Sequence, residues 1–311
     1  MNARTSSGVQ RWLHWVALCT RAEDPLSVAV VRIVVAMTVA LHVVHLAASG
    51  ALPLVWLDQA YGGLRLLDGG ILKVLGGARP EVVYPLAVGT VVSAAAMALG
   101  LGRWTTWATW LGFSTLADLN GQAGGSYDEL LTSTLFLLGF SGAHGRLTLV
   151  NHAVPVRSLA CVRWLLVLQL VLMYTSSGIQ KVSTHWVPWG DHMALWYILQ
   201  QPTWQRASML WLAPVAALTR LATVISWFFE VLAGVLILAA WFRHTRTRAG
   251  RLRALFNRLD IRVLYLAIGV GMHLGIEVTM EVGAFCAATL ALYAACFAPD
   301  EIQRVFTKST G

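Results

Sequence analysis

The residues best suited to chemistry lie in the stretch 173–201, MYTSSGIQKVSTHWVPWGDHMALWYILQQ. An apolar run ends at Tyr174, small and polar residues follow, and Lys181 stands where a helix would leave an apolar layer. A lysine at that depth either extends its ammonium group to water or stays in a pocket as a neutral amine, which is able to act as a base. Both interpretations stay open on this stretch alone, because Trp186 and its neighbours are also typical of an interfacial anchor.

Three further polar side chains lie within apolar runs, where an isolated charge is costly. Glu230 is flanked by apolar residues, so it must be protonated, paired or turned toward a cavity. Arg32 lies in the first long apolar run, and it either faces the bundle or snorkels from the first turns of its helix. Arg32 and Lys181 are the candidate partners of Glu230. His273 follows a glycine-rich turn of helix and is a candidate for either packing or catalysis.

The composition is that of a polytopic membrane protein. Of 311 residues, 57% are apolar and 12% are charged, whereas about 25% are charged in an ordinary soluble protein. The net charge of +8 comes largely from one arginine-rich loop, so membrane lipid is the expected partner and nucleic acid is not. The cysteines, at 19, 161, 286 and 296, show no metal-ligand spacing, and no metal site is expected.

Hydropathy predicts an all-α bundle of about eight transmembrane helices, with a single domain covering 1–311. Residues 1–24 are basic and then amphipathic, as expected of a segment lying at the membrane interface. Residues 50–80 are rich in glycine and leucine, which favours short interfacial helices or a loop. The predicted spans are 26–48, 82–101, 104–119, 129–141, 159–179, one within 206–241 that Pro214 limits, and two within 263–297.

The strongest topological signal is the segment 243–262, which contains seven arginines and one acid. Loops rich in arginine stay in the cytoplasm. With this basic loop inside, eight spans place both chain termini inside as well. The same count places Lys181 and the polar turn 118–129 outside.

One polar site at the outer face therefore follows from the topology. The turn 118–129 contributes candidates, although Asp128 is also placed to cap the helix that it begins. The polar groups expected near the outer face are Asn120, Ser126, Tyr127, Asp128, Lys181, His185, His273 and Glu277.

The segment 177–199, SGIQKVSTHWVPWGDHMALWYIL, resembles a motif of the horizontally transferred transmembrane domain family, which includes the vitamin K-dependent gamma-carboxylases. The resemblance rests on the Ser-Gly pair, the lysine, and the tryptophan and glycine that follow it. The segments 24–35, 120–131, 227–238 and 272–285 resemble, in order, the family's opening helix, outer turn, glutamate helix and late histidine helix. The likeness covers most of the chain, and the lysine motif is its specific part.

The resemblance implies that Lys181 is the base that starts oxidation of a reduced, vitamin K-like quinone. Glu230 and His273 are then expected as supporting catalytic groups. The expected substrate-binding residues are Asn120, Tyr127, Asp128, Trp186 and Arg32.

Two departures from the carboxylases bear on the substrate. The carboxylases have a functional histidine in the outer turn, but 118–129 contains none. They also carry a large lumenal domain, for which the residues after 297 leave no room. The compact chain is more similar to bacterial members of the family that help to mature secreted toxin peptides, of the sporulation-delaying-protein type.

The sequence thus yields two hypotheses for an integral protein of the bacterial cell membrane with cytoplasmic termini. In the first, it is a carboxylase-like enzyme that modifies or matures a secreted peptide, or acts on a quinone-like lipid, at the outer face. In the second, it is a non-enzymatic accessory or immunity subunit that binds a peptide or a partner membrane protein. A transporter is disfavoured because the chain shows no inverted repeat.

Overall fold

The computed structural model describes residues 7–64, 71–121, 123–150 and 156–308, and these residues are predominantly helical. The predicted all-α fold class is confirmed. The chain divides into two compact units, one formed by 1–166 with 287–311 and the other by 167–286. The expectation of a single domain over 1–311 stays a prediction.

The helices are α1 (Ser7–Thr20), α2 (Leu26–Ala48), α3 (Ala51–Trp56), α4 (Ile71–Val74), α5 (Pro80–Ala98), α6 (Arg103–Ala117), α7 (Ser126–Gly139), α8 (Ala160–Gln180), α9 (Ala194–Leu199), α10 (Ala216–Val231), α11 (Gly234–His244), α12 (Arg251–Leu259), α13 (Ile261–Thr279), α14 (Phe285–Leu292) and α15 (Pro299–Lys308). Short 3₁₀ turns cover 59–61, 143–145, 210–215 and 293–296. The strands β1 (Ala22–Glu23) and β2 (Ser158–Leu159) pair in an antiparallel register.

Five helical segments are long and apolar enough to cross a membrane, judged by length and composition. They are Leu26–Ala48, Pro80–Ala98, Ala160–Gln180, Leu210–Val231 and Ile261–Thr279. A sixth arises if Phe285–Cys296 and Pro299–Val305, bent by 103° from each other, form one broken span. Several apolar helices thus suit a membrane protein, as the sequence predicts.

The first five predicted spans correspond to helices α2, α5, α6, α7 and α8. Helix α2 coincides with 26–48, and the other four begin and end within three residues of their predicted limits. The region 206–241 differs from the prediction. Pro214 lies in a 3₁₀ turn ahead of α10, as its missing N–H favours, but a second break separates α10 from α11 at Leu232–Ala233.

Helix α2 is the centre of the first unit. Val31, Val35 and Val39, spaced by one helical turn, are fully buried. Helix α2 packs against α3, α5 and α7, and α5 packs against α6. A second apolar cluster lies near the far end of α2, where Val43 and Trp56 are buried with residues of α5 and α6.

The second unit is built on α8, α10 and α13. Helix α10 packs against α9 and α13, and α11 packs against α12 and α13. Thr223 of α10 is fully buried, and its hydroxyl accepts a hydrogen bond from the backbone N–H of Leu195 at 3.2 Å. Phe229 stacks on Tyr265 of α13 with a ring-centroid distance of 4.2 Å. The contacts of Phe229 with Tyr265 fix the end of α10 that carries Glu230.

Candidate functional site

Lys181 and Glu230 form a largely buried ion pair in the second unit. Helix α8 ends at Gln180, and the next residue, Lys181, donates from Nζ to both carboxylate oxygens of Glu230 at 2.5 Å. The side chains are 22% and 9% exposed. The hydroxyl of Ser177, one turn earlier on α8, also hydrogen-bonds to the carboxylate. The partner of Glu230 is thus Lys181 and not Arg32.

Gly178 explains why the two head groups can meet. A Cβ atom at this position would stand 2.8 Å from the backbone nitrogen of Val231 and 2.9 Å from Cβ of Glu230. The absence of a side chain therefore lets the backbones of α8 and α10 approach closely, as small residues do in packed apolar helices. This approach brings the end of α8 within reach of a short glutamate side chain.

Trp186 covers the lysine from the loop 181–193, which follows α8. The Nζ atom of Lys181 lies 4.5 Å from the centroid of the indole ring, a distance that permits a cation–π interaction. The ring is carried back over Lys181 by a turn in which the N–H of Trp186 donates to the carbonyl of Ser183 at 2.9 Å. Trp186, predicted to bind substrate, is therefore brought to the lysine.

The loop 181–193 closes through its own backbone. The N–H of Asp191 donates to the carbonyl of Thr184 at 3.1 Å, and the N–H of Gly190 donates to Val187 at 2.9 Å. A Cβ atom at Gly190 would lie 1.5 Å from the carbonyl oxygen of Thr184. The closed loop therefore requires glycine at this position.

A hydrogen-bonded pair lies within the same loop. His185 contacts both carboxylate oxygens of Asp191 through Nδ1, at 2.8 and 2.9 Å, and its ring meets Tyr197 edge to face. The pKa of Asp191 is lowered, first by the hydrogen bond from His185 and then by the backbone N–H of Met193. Both side chains of the pair are nearly half exposed, so the pair orders the loop at its surface.

Trp227, which carries a polar indole N–H, lies close to Glu230 in the sequence. It precedes Glu230 by three residues on α10, so the two side chains lie on neighbouring positions of one helix face. The indole N–H of Trp227 is buried and has no hydrogen-bond partner among the described residues. Trp189, 79% exposed, meets the Trp227 ring edge to face. A buried donor without a partner beside an exposed aromatic ring is a feature of a ligand site.

His273 is placed deeper in the second unit. It is fully buried, and its Nε2 lies 2.7 Å from the hydroxyl oxygen of Tyr174. Tyr174 precedes Lys181 by seven residues, about 10 Å along a helix. The ring of Tyr174 also meets Phe229, the neighbour of Glu230, at a centroid distance of 4.9 Å. The contacts of Tyr174 thus link His273 to Phe229, the residue that precedes Glu230 in the chain.

The predicted residues of the outer turn lie in the first unit. Asn120 organises this turn: its Nδ2 donates to the carbonyl of Val55, and its Oδ1 accepts from the N–H of Ala123. Asp128 accepts from the N–H of Gly125 at 2.9 Å, so it caps α7. The ring of Tyr127 meets the ring of His42 edge to face. These contacts hold Asn120, Tyr127 and Asp128 within the first unit.

Arg32 is also in the first unit, and it is 1% exposed. Its guanidinium donates to four backbone carbonyls, those of Ala98, Ala143, Arg146 and Leu147, at 2.7 to 3.3 Å. Of the two alternatives that the sequence leaves open for Arg32, the structure shows the one in which it faces the bundle. Its charge is solvated by peptide groups.

The sequence interpretation missed several members of the site. In the sequence, Tyr174 marks only the end of an apolar run, although a hydroxyl at that depth needs a partner. Gly178 stands out only as part of the lysine motif. Ser177 and Trp227 precede Lys181 and Glu230 by about one helical turn, a spacing that offered a usable signal.

The fold and the site together define a class: an all-α protein with several helices apolar enough for a membrane and a buried lysine–glutamate pair at the end of one of them. No group of three or more metal-ligating side chains is found in the described part of the chain. No known family model, curated protein or solved structure matches the chain.

Proposed function

We propose that the protein is a membrane-embedded enzyme of the horizontally transferred transmembrane domain type, in which Lys181 acts as a general base. The observation that carries the proposal is the contact between Lys181 and Glu230. A lysine that served only as an interfacial anchor would extend its ammonium to water, whereas this ammonium turns to a carboxylate that is 9% exposed.

Glu230 is placed to free the amine for catalysis. In this proposal the proton moves from Nζ to the carboxylate, which converts the ion pair into a neutral pair and avoids the cost of burying two charges. The neutral amine of Lys181 then accepts a proton from an O–H or an activated C–H of the substrate. The ring of Trp186, 4.5 Å from Nζ, would stabilise the ammonium that forms.

The residues fit a reduced, vitamin K-like quinone. An aromatic ring with a hydroxyl group matches the exposed face of Trp189, the unpartnered N–H of Trp227 and the base Lys181. When bound, such a group would supply an oxidisable hydroquinone. Lys181 would hold and deprotonate the hydroxyl of the quinol, and Trp227 would donate a hydrogen bond to it. Glu230 would accept the proton that Lys181 releases before it acts as the base.

The proposed substrate is a secreted peptide that meets the site at the outer face of a bacterial cell membrane. This orientation rests on the arginines of 243–262, which favour the cytoplasmic side and place both termini there as well. A cysteine introduced at Ala254 should resist an impermeant maleimide in intact cells and react after permeabilisation. Efficient labelling of intact cells would reverse the proposed orientation.

We also propose eight spans, obtained by adding α6, α7 and α14 to the five longer segments and joining α10 to α11. At about 1.5 Å per residue, α6 and α7 are near 22 Å long and shorter than a typical hydrocarbon core of about 30 Å. Helix α6 packs against both α5 and α7, and α7 also packs against α2, so these short helices would cross within protein, where neighbours satisfy the polar groups near their ends.

The test of the base is Lys181→Arg. Arginine keeps the positive charge and the reach of lysine, but it cannot give up its proton in a protein. Wild-type and variant membranes are assayed with a reduced quinone, bicarbonate and candidate secreted peptides. The variant should reach normal abundance and lose activity.

The matched control is Lys73→Arg, since Lys73 is an exposed lysine of α4. It should retain full activity at the same protein level. Full activity of the Lys181→Arg variant would refute the proposal that Lys181 is the general base.

The accessory or immunity subunit is the second candidate, and one observation favours it. Val182, Trp189, Leu210 and Trp211 are each more than 60% exposed, and together they give 181–211 an apolar surface. A binding subunit would use this surface for a peptide or a partner membrane protein. In that case Trp189→Ala would abolish the phenotype, and Lys181→Arg would preserve it.

A further inference from the structure

Helix α12, within the basic segment 243–262, carries three leucines that are about half exposed. Leu252, Leu255 and Leu259 occupy positions i, i+3 and i+7, so they lie on one side of the helix. They are 52%, 49% and 56% exposed. Three leucines in a row at this exposure form an apolar stripe along the whole helix.

Other positions of α12 are held by contacts with α11 and with the turn that follows it. The ring of Phe256 meets Phe242 of α11 edge to face at 5.3 Å. Asn257 donates to the carbonyl of Phe242 at 3.0 Å. Arg253 donates to the hydroxyl of Thr245 and lies over the Phe242 ring. The rotation of α12 about its axis is therefore fixed, and the leucine stripe is turned outward by these contacts.

Charge lies along one edge of the stripe. Arg251 and Arg258, seven residues apart, are both exposed and lie beside the leucines on a helical projection. Arg246 and Arg248, in the turn before α12, are exposed as well. Helix α12 also follows α11 and precedes α13, two apolar helices, so its ends are tied to segments suited to the membrane.

We infer that α12 is a lipid-binding helix that lies in the surface of an anionic leaflet. The stripe of Leu252, Leu255 and Leu259 enters the boundary between head groups and acyl chains, and Arg251 and Arg258 bind lipid phosphates. Apolar stripes bordered by arginine are the recognised pattern of interfacial helices, and anionic head groups complement the charge. The inference is independent of the proposed activity, because its readouts are lipid contacts.

The first test places a nitroxide label on α12 of the full chain, with the four native cysteines replaced by alanine, in vesicles of phosphatidylcholine with phosphatidylglycerol. A label at Leu255→Cys should collide with oxygen and be shielded from a water-soluble nickel complex. A label at Ala254→Cys, on the same helix beyond the arginine edge, should collide with the nickel complex. Equal nickel accessibility at both positions would overturn the inference. Dipolar broadening at Leu255→Cys would also overturn it, because that result assigns the stripe to a second copy of the chain.

The second test keeps the native cysteines and measures lipid retention by mass spectrometry of the purified protein. Arg251→Gln with Arg258→Gln should weaken retention of phosphatidylglycerol by on the order of tenfold, since each arginine near an anionic surface contributes to binding. Retention of phosphatidylcholine should stay unchanged. The control with the same loss of charge is Arg220→Gln with Arg304→Gln, two exposed arginines outside α12. Equal losses in the two double variants would overturn the inference.

Discussion

Lys181 and Glu230 are 49 residues apart in the chain, yet the ammonium of one contacts both carboxylate oxygens of the other. Removal of one partner of a buried pair leaves an uncompensated charge and costs about 3–5 kcal/mol. Both Glu230→Gln and Lys181→Met should therefore lower the free energy of unfolding in detergent by about this amount. The double variant should lose less than the sum of the two. Additive losses would show that the two groups do not stabilise each other.

A control for this cycle exists in the same unit. Arg206 pairs with Glu277 at 2.9 Å, but both side chains are more than one third exposed. Exposed pairs contribute about 0–1 kcal/mol because water screens them. Glu277→Gln should therefore change the unfolding free energy by less than about 1 kcal/mol.

Gly178 should be intolerant of any side chain. Gly178→Ala places Cβ 2.8 Å from the backbone nitrogen of Val231, and a backbone atom cannot move aside without shifting α10. We expect a loss of about 1–3 kcal/mol, as for other overpacked positions. Differential scanning fluorimetry of the purified protein measures the change.

The matched control is Gly271→Ala on α13, where a Cβ meets no heavy atom within 4 Å. Alanine in an open helical position should be neutral or stabilising by about 0.5–1 kcal/mol. Equal melting shifts for the two variants would show that the approach of α8 to α10 is not tight.

The Asp191–His185 pair predicts a defined pH dependence. The hydrogen bond from His185 lowers the pKa of Asp191 below its value in the unfolded chain, which is about 3.9. The stabilisation from Asp191 is therefore complete above pH about 4, and it is lost as the pH falls through the lower, folded-state pKa. The melting difference between wild type and Asp191→Asn should be constant from pH 5 to 4 and shrink below about pH 4. A difference that stays constant down to pH 2.5 would contradict the assignment.

Arg32 should not be replaceable by lysine. Its guanidinium serves four carbonyls at once, and an ammonium has only three donors on a flexible stem. Each hydrogen bond to a charged group contributes about 1.5–3 kcal/mol. Arg32→Lys should therefore lower the yield of folded protein sharply, which size-exclusion profiles from matched cultures measure. Arg304→Lys, in an exposed i,i+4 pair with Asp300, should leave the yield unchanged.

The positions of the helices were predictable because apolar periodicity and length are local properties. Helix α2 matches its predicted limits, and α8 matches within one residue at each end. The break at Leu232–Ala233 was not predictable in the same way. Neither position holds glycine or proline, and the turn there follows from 3₁₀-type hydrogen bonds such as that from Ala233 to Glu230.

The partners of the buried charges needed tertiary structure. The sequence predicts functional roles for Lys181, Glu230 and Arg32. The partner that each of them binds depends on the rotation and depth of its helix, which a sequence pattern does not fix. Arg32 illustrates this limit most clearly, because its partners are backbone carbonyls. Every residue has a backbone carbonyl, so the types of the side chains do not identify these partners. The contact between Tyr174 and His273 depends in the same way on the packing of α8 against α13.

The closure of the loop 181–193 has a consequence for engineering. Gly190 must stay a glycine, because the closed loop has no room for a Cβ atom there. Val182 and Trp189, in contrast, are more than 75% exposed and contribute little to closure. Variant libraries with substitutions at these two positions would change the surface of the loop and leave its backbone conformation unchanged. Ligand preference could thus be reprogrammed by selection while Lys181 and Glu230 keep their geometry.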